Sequence, residues 1–407
     1  MSTDRTGSLA AAADYARVRD PVDFSPVLGG PLFKLLCGAR LSDDALGLMR
    51  RRIVVFSLVA WLPLLVLSAV DGHLLGGSVA LPFLMDVGVH VRFLVAMPLL
   101  IAAELIVHTR LRPVAKMFME RHVVPESDTP RFEAAVASAS RLRDSVLAEV
   151  LLIALVYLIG VTIIWRHYAV LPTATWYATP TGDTSRLTLA GAWYGYVSVP
   201  ILQFLLLRWY FRIVIWMRLL WQVSRIDLSL IPTHPDRVGG LGFLALTPRA
   251  FAPLLLAHGA VLAAGLANQI FYLGGHLPQF KFEILMVVVF MLCLFLCPLL
   301  VFTPQLARTK RAGLREYGTL AERYVRAFDA KWLRGQAGEE PLLGSADIQS
   351  LADLANSVAV VQSMRISLVT KESVIMVAAV TLAPVLPLVL TLMPLEELLK
   401  KLVGLLL

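Results

Sequence analysis

Several stretches of this chain run for about 20 residues with almost no charge, the length at which an apolar helix crosses the hydrocarbon core of a bilayer. They fall at 53–70, 146–165, 251–273, 284–302 and 374–393, with a further helix from about Leu81 that is almost wholly apolar over 93–107. A seventh segment starts near Gly191 and passes Pro200. Lipid offers backbone amides no partner, so only helices and closed barrels survive in it. A barrel needs short segments of alternating polarity, and these runs do not alternate. The expected fold is all-α: a polytopic membrane helix bundle of about seven spans.

Composition agrees. Of 407 residues, 57% are hydrophobic and 16% charged, whereas soluble chains carry about a quarter charged. Cys37, Cys293 and Cys297 give no disulfide framework and no cysteine zinc pattern. The first apolar run follows about fifty polar and mixed residues, the wrong shape for a cleaved signal peptide. The first span is therefore expected to insert as a permanent helix.

Charge sets the expected orientation. Placing 1–52, 109–145, 217–250 and 304–373 on one side collects most of the 37 Lys and Arg residues. Arg92, Arg166, Arg186, Lys281, Lys400 and Lys401 are left on the other. The positive-inside rule then makes this a multi-pass cell-membrane protein, in the cell inner membrane, with its N-terminus cytoplasmic. The net charge of +8 belongs to that inner face and gives no reason to expect nucleic acid.

Four regions follow: a cytoplasmic N-terminal arm, 1–52; a membrane domain of six spans, 53–303; a cytoplasmic helical region, 304–373; and a proline-broken last span with an amphipathic tail, 374–407. The inner segments are too long for simple connections, so an intracellular helical layer built from membrane-exit helices is expected. Pro113 is expected to end the second helix, and the helix from Pro130 to run straight into the third span. Arg50, Arg51 and Arg52 would anchor the first span at the inner headgroups. Arg208 and Arg212 would snorkel from an interfacial girdle of Trp and Arg.

Ionisable residues inside spans are costly and point to function. Asp86 and His90 share a face of the second helix, as do Glu104 and His108, four residues apart. Glu149 begins the third span at the inner depth of Glu104 and His108, and His258 lies inside the fifth. These six form the candidate pathway or polar site. Interfacial hydrogen bonds from Glu104, His108 and Glu149 to neighbouring Arg residues are the competing structural reading. The densest polar run is 231–243, IPTHPDRVGGLGF. There His234, Asp236, Arg237, Gly239 and Gly240 make a candidate loop site. Its glycine amides beside Arg237 would form an anion-binding nest; alternatively the run is a rigid turn whose Asp236 or Thr233 caps local amides. Glu104, His108, His234 and Asp236, if they converged, would suit a divalent metal with mixed nitrogen and oxygen ligands.

Nucleophile-elbow, Walker A, Rossmann and His-Glu-x-x-His patterns are missing from the sequence, which weighs against an enzyme and names no catalytic residue. Three readings remain: a channel or transporter for a small ion or solute with an inner-mouth polar site; a membrane-embedded metal-dependent enzyme at the cytoplasmic interface; and a non-transporting scaffold or sensor. The bilayer, further copies of the chain as a homo-oligomer, and a cytoplasmic protein held through 304–373 are the candidate partners.

Overall fold

In a computed structural model the described residues are all-α apart from one small hairpin. The residues described are 24–38, 48–76, 79–158, 160, 174–181, 184–272, 274–335, 341 and 344–391. The helices are α1 (Pro31–Gly38), α2 (Met49–Val70), α3 (Val87–Glu120), α4 (Thr129–Arg143), α5 (Val146–Leu158), α6 (Leu189–Val223), α7 (Gly242–Tyr272), α8 (Leu277–Leu333), α9 (Ala346–Ser363) and α10 (Lys371–Thr391). Strands β1 (Ala178–Thr181) and β2 (Thr184–Leu187) pair antiparallel between α5 and α6.

Among the described residues, six helices are long and apolar enough to cross a membrane: α2, α3, α6, α7, α8 and α10. The seventh expected span is represented by α5, whose continuation toward Trp165 lies outside the described residues, as does the tail after Thr391. Large apolar side chains stay exposed around the outside. Examples are Val54, Leu58 and Val66 on α2, Leu147 and Leu151 on α5, and Phe282, Leu285 and Met286 on α8. So many exposed apolar side chains suit contact with lipid rather than water.

Helix α7 is the most enclosed of the six and packs against α3 and α10. Next to it, α6 packs against α3, α4 and α5. Prolines shape these helices without stopping them. A proline cannot donate to the carbonyl four residues back and its ring crowds that carbonyl, so the preceding turn changes pitch. Wide π-turns occur at Arg92–Ala96 before Pro98 and at Tyr194–Ser198 before Pro200. Tight 3-10 turns surround Pro248, Pro298 and Pro387.

Two boundaries differ from expectation. Helix α3 does not end at Pro113 but runs on to Glu120. Beyond the proline, Val114, Ala115 and Phe118 are buried, and Phe118 meets Phe243 of α7 edge to face, centroids 5.1 Å apart. That packing outweighs the local proline cost. The helix from Pro130 also does not run into the third span. Asp144 and Ser145 separate α4 from α5, and the Ser145 hydroxyl restarts the helix by accepting from the Ala148 amide at 3.3 Å.

Helix α8 is 57 residues long, roughly 85 Å at 1.5 Å per residue and so far longer than a bilayer core. Its second half is charged and packs against α9. Lys331 and the Trp332 indole both donate to Asp347 Oδ2, at 2.8 and 3.0 Å. Those bonds, the Lys331 one foremost, hold the Asp347 carboxyl below the ordinary carboxylate value.

A buried arginine cluster as candidate functional site

The first turn of α2, the middle of α3 and the lower half of α6 meet at one end of the bundle. Apolar neighbours drive these helices together, and each brings a charged side chain inward. Arg52, Glu104, Arg208 and Arg212 are each only 4–5% exposed. Glu104 Oε2 accepts from Arg52, and Glu104 Oε1 accepts from Arg212 Nη1 at 2.7 Å. Arg208 stands farther off, 3.5 Å from Glu104 and 3.6 Å from Glu149. Arg208 and Arg212 are four apart on α6 and share one face. The Arg212 guanidinium also lies over the Trp209 ring, 5.0 Å from its centroid.

A segment before α1 closes this end. Phe24 and Val27 are fully buried there. The Ser25 carbonyl accepts from Arg143 Nη1 at 2.8 Å, and the Val27 carbonyl from Arg212 Nη2 at 3.4 Å. The Ser25 hydroxyl sits 2.8 Å from His108 Nδ1, and Glu149 Oε2 accepts from the Leu32 amide at 2.7 Å. Gly29, at φ +128°, lies against Arg143: a Cβ there would come within 2.6 Å of Arg143 Nε. Only glycine fits that conformation and that gap together. Gly29, Arg143, Glu149, Arg208 and Arg212 line a cavity of about 10 Å³, room for about one water molecule.

The predicted polar residues divide into three places. Glu104, His108 and Glu149 gather at the arginine cluster. Interfacial pairing with Arg describes Glu104 well, and His108 Nδ1 meets a serine hydroxyl. Asp86 and His90 lie toward the opposite end of α3, and Asp86 is 18 positions from Glu104, roughly 27 Å along a helix. There Asp86 accepts from the Val89 amide, Trp176 Nε1 and Asn268 Nδ2 at 3.2, 2.9 and 2.7 Å. It caps a helix start and ties α7 to the β-hairpin region. His90 Nδ1 accepts from Trp61 Nε1 at 2.9 Å. His258 stands apart, against Tyr210 of α6.

The 231–243 loop is an elbow whose nest is filled from within. Arg237, Gly239 and Gly240 have positive φ, as its glycine-rich composition implies. Asp236 Oδ1 accepts from the Val238 and Gly240 amides at 2.9 and 3.1 Å, and Oδ2 from Gly242 at 2.8 Å. Partial burial would push this carboxyl up; the amides and His234 outweigh it and hold it below its ordinary value. The Arg237 carbonyl accepts from the Arg365 amide at 2.7 Å, linking the elbow to the segment between α9 and α10. An external anion at these amides would have to displace Asp236.

Among the described residues, no three His, Cys, Asp or Glu side chains come together to hold a metal ion. Of the four proposed ligands, Glu104 is engaged by guanidiniums, His108 meets Ser25, and His234 pairs with Asp236 at 2.9 Å.

Sequence reasoning missed the arginines. Arg52 does not anchor at a headgroup and Arg208 and Arg212 do not snorkel; all three turn inward, because buried carboxylates wait on the facing helices. The available signal was the four-residue spacing of Arg208 and Arg212 within an otherwise apolar helix. No family model, curated protein or solved structure matches the chain.

Proposed function

We propose that this is a multi-pass membrane channel or transporter for a small anion, with the cavity at Arg143, Arg208 and Arg212 as its binding site. In this reading the chain makes seven spans, the arginine cluster lies at the cytoplasmic end, and the 24–33 segment is the seal over it. The observation that carries the reading is the excess of buried cations around that cavity: Arg52, Arg143, Arg208 and Arg212 against Glu104, Glu149 and Asp144, with Arg143 held by Asp144 and Arg212 by Glu104. Ionisable groups held inside a membrane bundle are expensive unless used. The carbonyl oxygens of Ser25 and Val27 occupy arginine donors much as the oxygens of an anion would. Arg208, beyond hydrogen-bond reach of both carboxylates, is the guanidinium freest to exchange partners.

Flux in proteoliposomes tests this. Chloride, nitrate and phosphate are followed in parallel with potassium. Permeation of at least one anion, falling about tenfold or more in Arg208→Gln, supports the proposal. Potassium flux without anion flux, or anion flux indifferent to Arg208→Gln, rejects it.

A second reading, a membrane scaffold or sensor, is favoured by exposed apolar side chains on the charged hairpin. Leu320, Val325 and Ile348 are about half exposed there. Crosslinking in intact cells through cysteines placed at 320 and 348 tests that reading. Adducts with no other protein would count against it.

A further inference from the structure

A second cavity lies on the flank of the bundle, on another face of α6 from Arg208 and Arg212. Its volume is about 460 Å³, within the range of small-molecule sites. Helices α6, α7 and α8 form its walls, with Leu206, Val261, Leu262 and Met291 among the lining residues. Met286 and Phe290 at its rim are 69% and 48% exposed on the lipid-facing side of α8. The cavity therefore opens sideways, into the bilayer on the membrane reading above.

One polar pair interrupts this apolar lining. His258 Nδ1 is 2.7 Å from the Leu254 carbonyl, which can only accept, so Nδ1 carries the proton. The apolar surroundings disfavour a charged ring; in the neutral imidazole Nε2 is then an acceptor, and the Tyr210 hydroxyl, 2.6 Å away, donates to it. That spends the only proton on the hydroxyl. What Tyr210 still offers the cavity is an oxygen lone pair, so the pocket presents an acceptor and no donor. A ligand with only a carbonyl or ether would have to strip Tyr210 from His258, leaving a half-buried ring nitrogen unpaired.

We propose that this cavity binds a lipid-soluble alcohol or phenol, its hydroxyl donating to the Tyr210 oxygen and its apolar body lying along α7 and α8. The competing occupant is a phospholipid acyl chain, which would fill the same volume without using the dyad.

Radiolabelled 4-decylphenol, binding to the full chain in nanodiscs of saturated phosphatidylcholine, distinguishes the two. The expected result is saturable binding of one phenol per chain, with 4-decylanisole and decylbenzene competing at least tenfold more weakly. In His258→Leu the Tyr210 proton is released and can serve an ether oxygen, so phenol still binds but its preference over anisole falls below threefold. Val261→Trp fills the cavity while keeping both Tyr210 and His258. It is expected to abolish phenol binding while the protein elutes as the wild type does. No saturable phenol binding to the wild type would overturn the proposal. So would competition by decylbenzene within threefold of phenol, or a phenol preference undiminished in His258→Leu. Anion flux is read from a different site, so its outcome leaves this test unaffected.

Discussion

Replacing Glu104 by Gln removes the anion from the centre of the arginine cluster while keeping the side chain's shape. Glu104 takes a hydrogen bond from Arg52 and one from Arg212 at 2.7 Å, with Arg208 at 3.5 Å. A guanidinium–carboxylate pair with charge centres about 4 Å apart is worth about 4 kcal/mol at an effective dielectric of about 20. Three such pairs greatly overstate the net effect, because the buried carboxylate carries its own desolvation cost and Gln still offers one acceptor oxygen. Breaking a buried pair by removing one partner costs about 3–5 kcal/mol, and that range is the expected loss. At about 1–2 °C per kcal/mol, extrapolated to a chain of this size, the unfolding midpoint should fall by roughly 5 °C. Fluorescence-detected size exclusion after heating in detergent reads it. Because the group is 4% exposed, the loss should be the same in low and high salt. Arg52→Gln in the same background should recover part of the loss, since the excess cation is then removed as well. A midpoint for Glu104→Gln within 1 °C of wild type, or a loss that shrinks in high salt, would refute the claim that this cluster is buried and coupled.

Gly29→Ala places a methyl group against the Arg143 guanidinium at a φ disfavoured for alanine. The seal should weaken by about 1–3 kcal/mol, seen as faster proteolysis within residues 24–33. Asp236→Ala leaves three amides without their acceptor and should cost about 1–3 kcal/mol, read as a lower midpoint at neutral pH. Because the folded carboxyl titrates below its ordinary value, its stabilisation is complete at neutral pH and is lost as pH falls through the folded value. The variant should lack that acid limb, checked by comparing midpoints between pH 3 and 7. Asp347→Ala removes the acceptor for Lys331 and Trp332. Hydrogen exchange should quicken across α9 while the global midpoint stays put, because the contact is at the surface.

What the sequence reveals and what it hides follow from the range of the forces involved. Apolar length is a local property, so α2, α7 and the long run through α8 can be read directly. Proline is local too, but its outcome is not. Pro113 ends no helix because Phe118, five residues on, finds Phe243 more than 120 positions away. Glu104 and His108 could be recognised as a pair because helical spacing places them on one face. Their actual partners, Arg212 at 108 residues' separation and Ser25 at 83, follow only from tertiary packing. The inward turn of the arginines is hidden for the same reason. At a helix end, snorkelling and inward pairing leave the same trace in a single segment, and only the facing helix decides between them.

The cluster also bears on why such charge is kept at all. If stability were its purpose, apolar side chains of similar volume would serve as well or better, since desolvation offsets much of a buried pair's attraction. Arg52 and Arg212 answer that cost with direct hydrogen bonds to Glu104. Arg208 does not, being 3.5 Å from one carboxylate and 3.6 Å from the other. It is therefore the member contributing least to the fold for the burial it suffers, and it lines the cavity beneath the 24–33 segment. On the proposed reading, a guanidinium placed between two carboxylates without a direct hydrogen bond to either, under a segment whose carbonyls engage the neighbouring guanidiniums, is the one that exchanges those partners for the transported anion.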